Sequence, residues 1–195
     1  MVIPLIVPGL YGSCSQHWQS WLERRLPLAH RVLQANWDKV DIGAWAEVLE
    51  REILLRNERV ILIAHSFGCL ASVAAARRLA PRISAALLVA PCDTQRVGVE
   101  ESLLDFELPF PSTIVASRND PWMSFSRAEL WSQRWGSRLV DVGHKGHINV
   151  ASGHGPWPDV LPFIAEVSGN SDVLVMKRPD RPQLDCAASP YAAEQ

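Results

Sequence analysis

Short apolar segments alternate with amphipathic segments along most of this chain, and the alternation limits the fold more than any other feature. Residues 2–7, 59–64 and 85–90 are apolar at nearly every position, as strands buried on both faces are. Between such segments lie stretches with large apolar residues at helical spacing. Strands separated by helices predict an α/β domain with a mostly parallel sheet of about six strands and helices on both faces.

A chain of 195 residues is long enough for one domain of this kind. The pattern dissolves after residue 167 of 195, so we expect one domain over residues 1–167 and a C-terminal tail over residues 168–195. No apolar run is long enough to span a membrane, and a net charge of −2 provides no basic field. We therefore expect neither nucleic acid nor a membrane as a partner.

The cysteines and the N-terminus indicate the cellular compartment. Cys14, Cys69, Cys92 and Cys186 include no C-x-x-C pair, which argues against a zinc site or a thioredoxin-like motif. The first residues begin as a strand and have neither the basic segment nor the cleavage site of a signal peptide. We expect a cytoplasmic protein with free thiols and with no metal or other cofactor.

The sequence Ala-His-Ser-Phe-Gly at residues 64–68 carries the strongest chemical signal. It lies between the most apolar strand and a helix rich in small residues, which is the setting of a nucleophile elbow with the pattern G-x-S-x-G. Ala64 stands where this pattern usually has glycine, while Gly68 fits it. Ser66 is thus a candidate nucleophile, or only the N-cap of the following helix, and we expect His65 to pack beside the turn.

A nucleophilic serine needs a general base and an acid that orients the base. Asp120 follows one predicted strand and His147 follows the next, so both lie in loops at the carboxyl ends of strands. The order Ser66, Asp120, His147 is that of α/β-hydrolases.

Two other residues compete for these roles. His144 lies in the same loop as His147, which the pattern favours modestly because Gly146 allows a tight turn before it. Asp93 follows an earlier strand and is the alternative acid.

Two backbone amides are candidates for an oxyanion hole. One is the amide of Phe67, directly after the candidate nucleophile, and the other is the amide of Leu10 in the loop after the first strand. Gly9 and Gly12 keep that loop open. The loop contains neither G-x-G-x-x-G nor G-K-[ST], so a nucleotide site is poorly supported.

Eight tryptophans are many for a domain of this size. Four of them occupy apolar stripes of predicted helices and are expected in the core: Trp21, Trp45, Trp131 and Trp135. The other four lie in or beside loops: Trp18, Trp37, Trp122 and Trp157. Trp122, two residues past the candidate acid, is the best candidate for a pocket wall. We include Trp18 and His17 as candidate substrate-binding residues, although a structural role fits them equally well.

Several segments together resemble the small bacterial serine hydrolases related to retinoblastoma-binding protein 9. The resemblance covers residues 1–167 and rests on the motifs at residues 8–13, 17–21, 65–68, 117–121, 143–149 and 152–157. It implies a compact α/β-hydrolase without a large lid. It also implies Ser66 as nucleophile, Asp120 as acid and His147, rather than His144, as base.

The sequence thus predicts a serine hydrolase, specifically a carboxylesterase that cleaves small acyl esters through a Ser-His-Asp triad and an acyl-enzyme. A small-molecule acyl substrate is the expected partner, and a protein partner is not indicated. The alternative is a binding or scaffold protein on a hydrolase fold with little or no turnover, since a fold does not determine a function.

Overall fold

The computed structural model describes residues 2–169, so the tail expected over residues 168–195, with Cys186, lies outside the described residues from residue 170 onward. The strands are β1 (Val2–Val7), β2 (His30–Arg31), β3 (Arg59–His65), β4 (Ile83–Val89), β5 (Ser112–Ala116) and β6 (Arg138–Asp141). The α-helices are α1 (Trp18–Arg25), α2 (Ile42–Leu54), α3 (Phe67–Leu79), α4 (Thr94–Val97), α5 (Phe125–Trp135) and α6 (Val160–Ser168).

The six strands form one sheet in the order β2-β1-β3-β4-β5-β6, and every neighbouring pair is parallel. This confirms the expectation of about six mostly parallel strands. At the centre of the sheet, Leu62 of β3 is aligned with Leu5 of β1 and with Ala86 of β4. Because the strands are parallel, their carboxyl ends lie along the same edge of the sheet.

The two faces of the sheet are covered by different helices. Successive residues of β3 point to opposite sides, so that Leu62 joins one buried cluster and Ile61 and Ile63 join the other. Helices α2, α3 and α5 contribute to the first cluster, and α1 and α6 contribute to the second. The prediction of helices on both faces is therefore confirmed.

The elements follow one another without an inserted lid between residues 2 and 169. Helix α2 begins where the Asp41 carboxylate accepts a hydrogen bond from the amide of Ala44 at 3.0 Å. Helix α5 is capped by Ser124 before its first residue and by Gly136 after its last, and Gly136 has the left-handed backbone common at helix ends. None of the helices in this part of the chain has the length and apolar character needed to cross a membrane.

Candidate active site

Three loops at the carboxyl edge of the sheet bring Ser66, His147 and Asp120 together. Ser66 lies between β3 and α3, whereas Asp120 follows β5 and His147 follows β6. The Nε2 atom of His147 lies 2.9 Å from Ser66 Oγ. Its Nδ1 atom lies 2.9 Å from both carboxylate oxygens of Asp120. The three side chains thus form a continuous hydrogen-bonded line from hydroxyl to carboxylate.

The turn at Ser66 is strained, and its neighbours are small for a steric reason. Ser66 has φ of 53° and ψ of −124°, a conformation that costs free energy in any residue except glycine. A Cβ atom on Gly68 would lie 2.4 Å from the carbonyl oxygen of Pro8 and 2.5 Å from that of Val7, so glycine is required there. Ala64, by contrast, is fully buried in a regular part of β3, and the turn forms with alanine at this position.

Burial and a backbone donor hold the acid in place. The Asp120 side chain is only 4% exposed and that of His147 only 7% exposed. The amide of Trp122 donates to Asp120 Oδ1 at 2.8 Å. A buried carboxylate held in this way orients the imidazole, because Nδ1–H is directed to the acid while Nε2 is left facing the hydroxyl.

The loops that carry Asp120 and His147 are joined by hydrogen bonds that the sequence analysis missed. Ser117 donates to Asn119 Oδ1 at 2.9 Å and accepts from the amide of Lys145 at 2.8 Å. Asn119 Oδ1 also accepts from the amide of Gly146 at 2.8 Å. These contacts fix the register of the two loops. The one signal in the sequence was the Asn directly before the candidate acid.

The competing residues lie elsewhere. His144 is exposed at the surface of its loop. Both carboxylate oxygens of Asp93 accept hydrogen bonds from the Arg127 guanidinium, at 2.9 and 3.0 Å. Such a bidentate ion pair engages the carboxylate fully, so Asp93 belongs to an arginine pair and not to the imidazole of His147.

The loop after β1 passes directly against the nucleophile. A Cβ atom on Gly9 would lie 2.7 Å from Ser66 Cβ and 3.3 Å from its Oγ, so only glycine allows this approach. Two residues further along, the backbone amide of Tyr11 donates to the carbonyl of Trp37 at 2.8 Å. Leu10 lies between these two residues, at the position predicted for an oxyanion donor.

Phe67 supplies the second predicted donor position. It is the first residue of α3, and the first amides of a helix have no carbonyl partner within the helix. Its side chain is fully buried against Trp45, with ring centroids 5.0 Å apart. The packing of the ring therefore fixes the backbone whose amide follows the serine.

Of the two roles that the sequence left open for Trp18, its burial favours packing over substrate contact. Its side chain has no exposed surface, and its ring packs edge-on against Trp157 with centroids 5.5 Å apart. Its indole N–H donates to the carbonyl of Ile148 at 2.9 Å. Trp18 and Trp157 therefore join the four tryptophans expected in the core, which leaves Trp37 and Trp122 half-buried.

For His17, too, the structure favours the structural role over a substrate contact. It is 5% exposed, and its Nδ1 atom accepts a hydrogen bond from the amide of Gln19 at 3.1 Å, which caps α1. Burial, aided by the positive charge of Arg31, lowers the pKa of His17 to about 3. The ring is therefore a neutral acceptor in the core.

Trp122, the candidate pocket wall, lies beside the imidazole of His147. It is half-buried, and its ring centroid is 6.0 Å from that of His147. A large, partly buried apolar ring beside the imidazole can form a wall for an acyl chain.

His65 packs beside the turn, as expected, and makes one specific contact that the sequence did not predict. Its Nε2 atom lies 2.9 Å from the backbone carbonyl oxygen of His147. Burial holds the pKa of His65 well below its ordinary value.

Two thiols lie close to the site. Burial raises the pKa of Cys92 to about 12 and that of Cys69 well above its ordinary value. Neither thiol is therefore a thiolate nucleophile at neutral pH. Over residues 2–169, no three His, Cys, Asp or Glu side chains are grouped so that they could hold a metal ion.

Solved structures of several hydrolases are similar to this chain. A putative YdeN-like hydrolase from Pectobacterium atrosepticum is 40% identical, with a TM-score of 0.82 over 89% of this chain and 92% of that one. The ydeN gene product of Bacillus subtilis is 21% identical, with a TM-score of 0.74 over 87% of this chain and 100% of that one. Est1E from Butyrivibrio proteoclasticus, solved with ferulic acid, is 12% identical with a TM-score of 0.64 over 87% of each chain.

Comparison with curated protein sequences gives no match. The low-identity structures show the α/β-hydrolase fold, while the hydrolase from Pectobacterium is similar in sequence as well. The family model described as serine hydrolase matches residues 4–166, which is most of the chain. The protein therefore belongs to the serine hydrolase family.

Proposed function

We propose that this hydrolase is a carboxylesterase that cleaves small acyl esters through Ser66, His147 and Asp120. The observation that carries the proposal is the line of 2.9 Å contacts from Ser66 Oγ through the imidazole to the Asp120 carboxylate. Nucleophile and base within hydrogen-bond reach, with the base oriented by a third group, are the signature of an activated serine. Closer kinship with the retinoblastoma-binding protein 9 group remains a prediction from the sequence motifs.

In the acylation step, Ser66 Oγ attacks the ester carbonyl carbon and its proton passes to His147 Nε2. The amides of Leu10 and Phe67 donate to the oxyanion that forms, and each such donor is worth about 10²–10³ in kcat. Asp120 stabilises the imidazolium through Nδ1–H. The tetrahedral intermediate then collapses, the C–O bond to the alcohol breaks, and the imidazolium gives its proton to the departing alkoxide.

In the deacylation step, water takes the place of the alcohol. His147 accepts a proton from water while the resulting hydroxide attacks the acyl carbon, and the same amides hold the second oxyanion. Collapse of this intermediate releases the carboxylic acid, and the proton returns to Ser66 Oγ. No cofactor is required, since every proton is exchanged between the serine, the imidazole, water and the alcohol.

The ring of Trp122 and the lack of an inserted lid within the described residues support small acyl groups as substrates. The half-buried ring of Trp122 stands beside His147, and no lid subdomain covers it within the described residues. An acyl chain can therefore contact one aromatic wall without being enclosed, which favours short chains.

Turnover of p-nitrophenyl acetate and butyrate tests the proposal. The Ser66→Ala variant removes the nucleophile and should lower kcat by at least about 10⁴-fold while leaving the fold intact. Ser72→Ala is the matched control, because Ser72 lies in the helix that follows Ser66 and donates to the backbone carbonyl of Gly68 at 2.8 Å. Turnover by Ser66→Ala equal to that of the unaltered protein would show that the ester is cleaved elsewhere.

A further inference from the structure

The loop that carries His147 continues in a strained conformation. Ile148 has φ of 48°, and a β-branched side chain is disfavoured in this left-handed region. The residue is fully buried, so solvent does not satisfy its backbone. A strained backbone persists only where its surroundings over-determine it. Contacts from the surrounding core must therefore hold Ile148 in this conformation.

Two ring N–H groups from the core are directed at this backbone. His65 Nε2 lies 2.9 Å from the carbonyl oxygen of His147, and Trp18 Nε1 donates to the carbonyl oxygen of Ile148 at 2.9 Å. The two carbonyls belong to successive residues. The two donors come from different elements, since His65 ends β3 and Trp18 begins α1.

We propose that His65 and Trp18 are positioning residues that hold the loop of His147 in its strained conformation and so keep its imidazole within reach of Ser66. We call this pair of contacts the carbonyl clamp. The expected effect of the clamp on catalysis rests on the proposed function, because it assumes that His147 is the general base. The contacts themselves do not depend on which bond the enzyme cleaves.

The partner of His65 determines which tautomer its ring adopts. A carbonyl oxygen only accepts, so Nε2 must carry the proton and donate it. Burial keeps the ring neutral, and its centroid is 4.9 Å from that of His147. A neutral ring at this distance holds the loop without placing a positive charge beside the imidazolium that forms during catalysis.

Trp18 is suited to holding the carbonyl of Ile148 because its ring is enclosed in the core. It is enclosed by Trp157 on one side and by His65 on another, with centroids 5.5 and 6.0 Å away. A buried indole N–H needs an acceptor and a buried carbonyl needs a donor, so each group satisfies the other. The indole therefore acts as a fixed point against which the loop is aligned.

The clamp acts on the distance between His147 Nε2 and Ser66 Oγ. A displacement of about 1 Å in a catalytic group can lower a rate about 10²-fold. Loss of one N–H donor leaves a buried carbonyl unsatisfied and allows the strained loop to relax. The effect should fall on kcat, because neither donor faces the open side of the site.

Kinetic variants test the clamp with p-nitrophenyl butyrate as substrate. Trp18→Phe and His65→Leu remove one donor each and should lower kcat about 10–100-fold, with KM changed less than about threefold. His65→Gln keeps an N–H in place and should restore kcat to within about threefold of the unaltered protein. Trp21→Phe is the matched control: Trp21 lies in the same helix and the same core, and its loss should leave kcat unchanged.

Two outcomes would overturn the clamp. One is an equal loss of kcat in Trp18→Phe and Trp21→Phe, since packing and not the N–H would then matter. The other is failure of His65→Gln to recover activity in a protein with an unchanged unfolding midpoint. Trp18→Phe and Trp21→Phe carry the test even where His65→Leu fails to fold.

A second measurement separates the clamp from the proposed function. Proton NMR of histidine-labelled protein detects the Nδ1–H of His147, which is hydrogen-bonded to Asp120 and protected from exchange. Trp18→Phe should broaden or abolish this signal and Trp21→Phe should keep it. If the unaltered protein cleaves no ester but the signal responds in this way, the proposed function fails while the clamp stands. An unchanged signal in Trp18→Phe overturns the clamp.

Discussion

The two sides of the His147 imidazole carry similar residues in opposite settings. On the inner side, His65 and Trp18 are buried and donate to the backbone of the loop. On the outer side, Trp122 is half-buried, with its amide bonded to Asp120 and its ring beside the imidazole. The inner rings are buried in the core, whereas the outer ring is only partly buried and packs against the core of the other sheet face. Residue type alone therefore does not distinguish a positioning group from a substrate contact.

The largest expected effect comes from breaking the contact that holds the imidazole between these two sides. Asp120→Asn should lower kcat for p-nitrophenyl butyrate about 10³–10⁴-fold, because the amide stabilises the wrong tautomer of His147. Asp93→Asn is the control: it breaks an ion pair with Arg127 and should change kcat less than about tenfold. A larger loss of kcat in Asp93→Asn would indicate that Asp93, and not Asp120, is the acid that orients His147.

Truncation of Trp18 on the inner side and of Trp122 on the outer side of the imidazole compares the buried and the partly buried ring directly. Trp18→Ala should lower the free energy of unfolding by about 3–5 kcal/mol, because it leaves a cavity in a closed core. Trp122→Ala should lower it by less than about 2 kcal/mol, since the ring is already in part solvated. It should instead raise KM for longer acyl chains. Urea unfolding and KM across acetyl to octanoyl esters measure both, and a reversed order of stability losses would contradict the comparison.

The burial of His17, which caps α1, predicts that the free energy of unfolding depends on pH. Folding lowers the pKa of His17 from its ordinary 6.5 to about 3, so between these values the unfolded chain binds a proton that the folded chain does not. Stability is therefore lost as the pH falls below about 6.5, by about 2 kcal/mol between pH 7 and pH 5 from this residue. His17→Asn keeps an acceptor for the helix cap and should flatten the slope by that amount.

Urea unfolding at several pH values measures this slope. His144→Asn is the matched control, because it makes the same substitution in an exposed loop outside the core. A slope that is the same in His17→Asn and in the unaltered protein would mean that His17 is protonated in the folded state.

The smallest effect is expected at the elbow, where alanine replaces the usual glycine. Ala64→Gly should lower the free energy of unfolding by about 1 kcal/mol, because glycine loses more backbone entropy and leaves the strand core less filled. The kcat should stay within about twofold, since the turn at Ser66 already forms with alanine. A marked rise in kcat would show that the Cβ of Ala64 distorts the elbow.

The sequence predicted the parts of the molecule that depend on local pattern and chain order. Apolar runs gave the strands, and loops after successive strands of a parallel sheet must meet at one edge, which placed Ser66, Asp120 and His147 near one another. The sequence did not show that α1 covers the inner side of the site. The sequence therefore left the roles of Trp18 and His17 open between substrate binding and packing, and the contact from His65 to a carbonyl 82 residues away left no local signal.

Labelling with a fluorophosphonate tests the central proposal most directly, because the reagent forms a stable bond only with an activated serine. The account predicts one adduct per chain, located by peptide mass spectrometry at Ser66. It also predicts that labelling is absent in Ser66→Ala and at least about 10²-fold slower in His147→Gln. Folded protein that takes up no label, or a label on another residue that persists in Ser66→Ala, would contradict it.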